Sequence, residues 1–176
     1  MKTNLLLIAA GIFLMACEPA QVRYTQQSPE IETFKSVLKA YNDRNLEGMN
    51  AAYADTAKIF MNSSTKGVLA SEENAEGLKG MEIFSSAKFD FADDDIEMVV
   101  TDKGETWVNY WGKWQGTFAA NNEPAEIALH ITARFIDGKI VQEYDYFDSS
   151  GVDEKYQEIE AMAKAATDST ATTPAM

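Results

Sequence analysis

From Ile127 to Asp148 the chain alternates apolar and polar positions in two runs that meet at Asp137-Gly138. Period-two alternation broken by an Asp-Gly pair predicts two antiparallel strands joined by a two-residue turn. Asp tolerates positive φ and Gly adopts it freely, so the turn forms without strain. The expected register sets Ile136 opposite Lys139 and Phe135 opposite Ile140, and alternation carried outward sorts the remaining side chains. One face receives Ile127, Leu129, Ile131, Ala133, Phe135, Ile140, Gln142, Tyr144, Tyr146 and Asp148, and is expected to be covered. The other receives Ala128, His130, Thr132, Arg134, Val141, Glu143, Asp145 and Phe147, and is expected to face outward. This register places His130 opposite Asp145 and Thr132 opposite Glu143.

The cover comes from upstream. Ile31, Phe34, Leu38 and Tyr41 recur at helical spacing, with Val37 widening the stripe. Ser28-Pro29 supplies a cap and a first-turn proline, and Glu30 and Glu32 sit at the positive end of the helix dipole. Asn45 is expected to cap a second, shorter helix with Leu46, Met49 and Tyr53 on one side. Lys58 to Met61 reads as a short strand. Ser71 opens a third helix with Glu72 and Glu73 in its first turn and Leu78, Met81 and Phe84 among its apolar positions. Ile96 to Val100 reads as a strand, and Thr106 to Phe118, the most aromatic stretch, as a central strand with aromatics of both parities. Gly112 and Gly116 there allow a bulge or strong curvature, which leaves open which tryptophans point inward. A short amphipathic helix is expected around Tyr156 and Ile159, and residues 161–176, dominated by Ala, Thr and Ser, are expected to be a disordered tail. Helices first and long antiparallel strands afterwards make the class α+β.

Composition narrows the partners. The 176 residues suit one domain with extensions, and a formal charge of -13 argues against nucleic acid and against docking on anionic lipid through a basic patch. The single cysteine sits where an export signal ends: Lys2, an apolar run from Leu5 to Phe13, then Leu14-Met15-Ala16-Cys17. That tetrapeptide resembles the lipobox of bacterial lipoproteins. The resemblance implies that residues 1–16 are removed, that Cys17 carries lipid, and that the protein is held to a membrane of the bacterial cell envelope, periplasmic or surface-exposed. Glu18 to Pro29 is polar and aperiodic, so residues 17–29 are expected to be a tether and residues 30–160 the domain.

The segment Asn45-Leu-Glu-Gly-Met-Asn-Ala-Ala-Tyr-Ala-Asp55 resembles the second-helix signature of the nuclear transport factor 2-like superfamily. Arg134-Phe-Ile-Asp-Gly-Lys-Ile140, followed by an acidic-aromatic strand ending at Asp148, resembles its closing hairpin, and Trp111-Gly-Lys-Trp114 is similar to SnoaL-like members. The resemblance implies a curved, mainly antiparallel sheet wrapped over helices as a cone, a pocket at the open end, and often a homodimer through the outer sheet face. Members like ketosteroid isomerase use a carboxylate base with a tyrosine and a protonated acid as oxyanion donors. Those positions match Met61, Val37 and Ile131 here, and none of these side chains does that work.

The expected pocket residues are Tyr144, Tyr146, Asp148 and Gln142, joined by Trp111, Trp114 and Tyr53; no residue is assigned as catalytic. His130 beside Asp145 reads as a surface or interface pair that fixes strand register, and Arg134 near Glu143 or Asp145 reads the same way. Asp93 to Asp95 lacks the alternating spacing of a calcium loop, so neither a metal nor a cofactor is expected. The function expected first is a noncatalytic module binding a small, partly hydrophobic molecule. The second is a SnoaL-like enzyme of proton-transfer or hydrolytic type using Asp148, Tyr144 or Tyr146, and the third a dimeric adaptor.

Overall fold

Pro29–Asn42 forms helix α1, and its start follows from the sequence: the Ser28 hydroxyl accepts from the Ile31 amide at 3.2 Å, with Pro29 in the first turn. Residues 22–171 are described in the computed structural model; residues 1–21, with the expected export signal and Cys17, and residues 172–176 lie outside them. Ile31, Phe34, Val37 and Leu38 of α1 are buried in the main core. Leu46–Asn50 forms α2, capped by the Asn45 side chain, which accepts from the Gly48 amide at 3.0 Å. Ala70–Gly80 forms α3, followed by one turn of 3-10 helix over Met81–Ile83.

Tyr24–Thr25 (β1), Tyr53–Met61 (β2), Val68–Leu69 (β3), Phe84–Asp90 (β4), Ile96–Val100 (β5), Thr106–Phe118 (β6), Pro124–Ile136 (β7) and Lys139–Phe147 (β8) make one sheet. Its order is β1-β5-β6-β7-β8-β2-β3, with β4 also paired to β6. All pairings are antiparallel except β2 with β8. On one edge β6 takes two partners, β5 along its first half and β4 along its second, while β7 runs unbroken along the other edge. The sheet thereby curves around α1, and Val108, Tyr110, Trp114 and Phe118 of β6 point into the concave side. Gly112 and Gly116 carry no bulge against β7. They make room for neighbouring rings: a Cβ on Gly112 would lie 1.9 Å from the Tyr110 hydroxyl, and one on Gly116 would lie 2.5 Å from the Trp114 ring.

The expected tight turn is present, with Asp137 at φ 50° and Gly138 at φ 74°. Ile136 faces Lys139 and Phe135 faces Ile140. One step further the expected register fails. Arg134 pairs with Gln142, so Val141 is an extra residue, a β-bulge. Every side chain beyond it therefore lies on the opposite face from the one plain alternation assigns. Glu143 and Asp145 point into the core with Ile131 and Ala133, while Gln142, Tyr144 and Tyr146 point outward with His130 and Thr132. His130 stands opposite Tyr146 and Thr132 opposite Tyr144, so the expected pairs with Asp145 and Glu143 do not form.

Four other elements differ from expectation. Tyr53 opens β2 rather than closing α2, because parallel pairing with Ile140 draws it into the sheet. Phe84 belongs to β4, since Gly80 ends α3 and the segment after it pairs with β6. Tyr24 and Thr25, placed in the tether by sequence, pair with Val99 and Met98. The last helix, Ser150–Ala171 (α4), continues past residue 160, consistent with the high helix propensity of its alanines. No described helix is long and apolar enough to cross a membrane.

Candidate functional site

The concave face of the sheet and the helices over it enclose a cavity of about 300 Å³. Most of its wall is apolar. Helix α1 contributes Phe34, Val37, Leu38 and Tyr41, and the strands contribute Ile59, Met61, Phe89, Trp114, Leu129 and Ile131. Met61, Val37 and Ile131, the three positions matched to isomerase catalytic residues, thus all line the cavity, each with an apolar side chain. Trp114 donates its indole N–H to the Tyr41 hydroxyl at 2.9 Å, and Tyr41 packs on Phe89 with ring centroids 4.6 Å apart.

One side of the wall differs. The bulge at Val141 turns Glu143 and Asp145, two apart on β8, to the same inner face, where they are only 4% and 9% exposed. Tyr53 from β2 donates its hydroxyl to Glu143 Oε2 at 2.9 Å. Glu73 and the buried Asn74 come from α3, and Asn74 Nδ2 donates to Asn50 Oδ1 at 2.9 Å. Burial raises the Glu143 and Asp145 carboxyls above the usual carboxylate range, and for Asp145 the neighbouring Glu143 charge adds to the effect. Like charges this close in a dry site do not both ionise freely, so the two carboxyls hold a proton between them. Burial also raises Glu73, with Glu76 adding to it, and pushes the Tyr53 hydroxyl well up. Asp145 Oδ1 is buried without a hydrogen-bond partner.

Of the residues expected in the pocket, Trp114 and Tyr53 line the cavity. Gln142, Tyr144 and Tyr146 lie on the outer face beyond the bulge, and Trp111 lies there because it shares the outward parity of β6. Asp148 follows the end of β8, exposed, and accepts from the Ser150 amide at 2.9 Å. Its carboxyl is lowered by hydrogen bonds from Ser150. Glu143, Asp145, Glu73 and Asn74 were missed. The one trace in the sequence is Ile140-Val141, two successive apolar residues where strict alternation allows one.

The outer face is an aromatic surface. His130 lies between Trp111 and Tyr146, with ring centroids at 4.8 Å and 6.3 Å, and donates through Nδ1–H to the Tyr110 carbonyl at 3.1 Å. Tyr144 stacks between Phe60 and Trp107. Arg134 pairs with Glu105 at 3.1 Å, not with Glu143 or Asp145.

No family model matches the chain, and no curated protein does. Solved structures do. A nuclear transport factor 2-like protein of unknown function from Burkholderia pseudomallei K96243 aligns with a TM-score of 0.56 at 16% identity, over 72% of this chain and 95% of its own. A candidate polyketide cyclase from Xanthomonas campestris pv. campestris gives 0.54 at 15% identity, over 72% and 96%. IdmH, a candidate polyketide cyclase from Streptomyces antibioticus, gives 0.55 at 19% identity, over 70% and 94%. The fold is the nuclear transport factor 2-like cone, an α+β architecture in which helices pack against a curved sheet.

Proposed function

We propose that this chain is a lipoprotein of the bacterial cell envelope, anchored through lipid on Cys17, whose cone domain binds a small, largely apolar molecule without transforming it. The cavity carries this reading: about 300 Å³ of mainly apolar wall with polar groups gathered on one side, the arrangement common to small-molecule sites. Loss of the acid and tyrosine positions of isomerase-like members, which are Ile131 and Val37 here, supports a noncatalytic role. Filling the space tests it. Met61→Trp is expected to abolish ligand-induced thermal stabilisation while leaving the far-ultraviolet dichroism unchanged, and unaltered ligand binding would refute the site. The anchor is tested separately: Cys17→Ser is expected to move the protein from the membrane fraction to the soluble one.

A second reading, an enzyme of SnoaL-like type, has one specific observation in its favour. Glu143 and Asp145 form a carboxyl pair holding a proton beside an apolar cavity, a pattern suited to general acid-base work. Two of the structural neighbours are described as candidate polyketide cyclases. Turnover of a small substrate that disappears in Asp145→Asn would replace the binding reading with this one.

A further inference from the structure

We propose that the ligand of this cavity is a small organic cation, a protonated amine on a compact apolar or aromatic body, whose ammonium group docks against Asp145 and Glu143, with the charge of Glu73 adding to the attraction. The inference rests on the binding reading and names its ligand class. Three carboxyls line the cavity, and no described lysine, arginine or histidine does. Every positive charge that could balance them must come from outside, as protons or as a ligand. Tyr53 donates to Glu143, whereas Asp145 Oδ1, buried in a residue that lines the cavity, receives no hydrogen bond from any backbone or neutral side-chain donor and relies on the proton the pair holds. A buried carboxyl pair supplied with so few donors is well met by an N–H or O–H from a bound molecule.

The rest of the wall decides which donor. An anionic ligand would add its charge to three carboxyls and is excluded by repulsion. A neutral alcohol would serve the orphan oxygen but not the charge. The three carboxyls do not converge as a metal-ligand set, whereas Phe34, Tyr41, Phe89, Trp114 and Phe147 present rings to the cavity. Aromatic faces attract cations and also pack against an apolar body. An ammonium group with three N–H donors meets both demands. Its arrival displaces the proton held between Glu143 and Asp145. The other groups facing that pair are the Tyr53 hydroxyl from β2 and Glu73 from α3, and α1 contributes no charged group to the wall.

Titration calorimetry on the purified protein at neutral pH tests this with ligands of one shape: cyclohexylmethylamine, cyclohexylmethanol and cyclohexanecarboxylate, together with the corresponding benzyl series. The amine is expected to bind about tenfold or more tightly than the alcohol, and the carboxylate to give no heat. Repeating the titration in buffers of different ionisation heat is expected to show between about half a proton and one proton released per amine bound. In Asp145→Asn the preference for amine over alcohol is expected to shrink to about threefold or less, and proton release to fall towards zero, while the alcohol still binds. Glu73→Gln, nearer the surface, is expected to reduce the preference with no change in fold. An alcohol that binds as well as the amine, a carboxylate that binds, or an undiminished amine preference in both variants overturns the inference and leaves the cavity a ligand site. Failure of both series to bind at all overturns the binding reading with it.

Discussion

Glu143 and Asp145 set the energetics of the cavity as well as its chemistry. Both carboxyls are raised by burial, and Asp145 is raised further by Glu143. The folded protein therefore holds protons that the unfolded chain releases once pH passes the ordinary carboxylate range. Stability is present in full below that range and falls as pH rises through the raised values. The lowered carboxyls have the opposite sign: Asp93 beside Lys35, Glu126 beside Lys113 and Gln115, and Asp148 beside Ser150 contribute less as pH falls. All three are on the surface, where solvent screens them, so the buried pair dominates the profile. Urea denaturation across pH 5 to 8.5 is expected to show stability declining towards the alkaline side. Asp145→Asn is expected to flatten that slope and to stabilise the protein at pH 8 by about 1–3 kcal/mol. An unchanged slope in the variant would mean that the pair is not what titrates.

At the scale of elements, the sequence was most legible where local chemistry and tertiary demand agree. Helix α1 begins where Ser28 and Pro29 place it, and Thr106–Phe118 is a strand over its whole expected length. The closing hairpin turns at Asp137-Gly138 because few other residue pairs take two consecutive positive φ angles so readily. The phase of β8 was not legible. A single bulged residue carries no strong local signature, yet it exchanges the faces of all that follows. Alternation carried through Val141 sent the tyrosines inward and the carboxyls outward, the pattern hydrophobicity favours. The protein does the reverse, and the place where it breaks the local rule is the polar side of its cavity. Trp114 and Tyr53 were found from sequence because aromatic character suits a cavity wall, whereas buried acids contradict every burial preference. The bulge makes its own prediction. Because Arg134 already pairs with Gln142, deleting Val141 leaves a regular ladder with Glu143 and Asp145 still inside. The β2 register also shifts between Tyr53 and Lys58, near the same level, so the sheet has irregular backbone there to absorb the change. The deletion variant is expected to fold with a loss of about 1–2 kcal/mol and to retain the pH slope of the parent protein. In a hairpin without the bulge, the same deletion would turn one face of β8 inside out and abolish folding.

For the whole molecule, the question is how a chain of formal charge -13 meets a second copy of itself. Net repulsion between two such molecules is weakest where the surface is neutral and apolar. The outer sheet face has that character. Trp111 and Tyr146 are 50% and 47% exposed on either side of His130. The charges around them are balanced within the face, Lys113 with Glu126 at 3.0 Å and Arg134 with Glu105 at 3.1 Å. Large exposed aromatics on a charge-balanced surface mark interaction sites, and isologous pairing lets one patch serve both partners. A homodimer through this face would also leave the cavity, on the opposite side of the sheet, open to its ligand. Sedimentation equilibrium at micromolar concentration is expected to report a dimer that tightens as salt screens the net charge. Trp111→Lys, beside His130 at the end of the aromatic stack, is expected to give a monomer whose ligand binding is unchanged, because that side chain does not line the cavity. A monomer in the parent protein at all salt concentrations would remove self-association from the role of this face, and the stacked rings would then serve to hold strands β6, β7 and β8 in register.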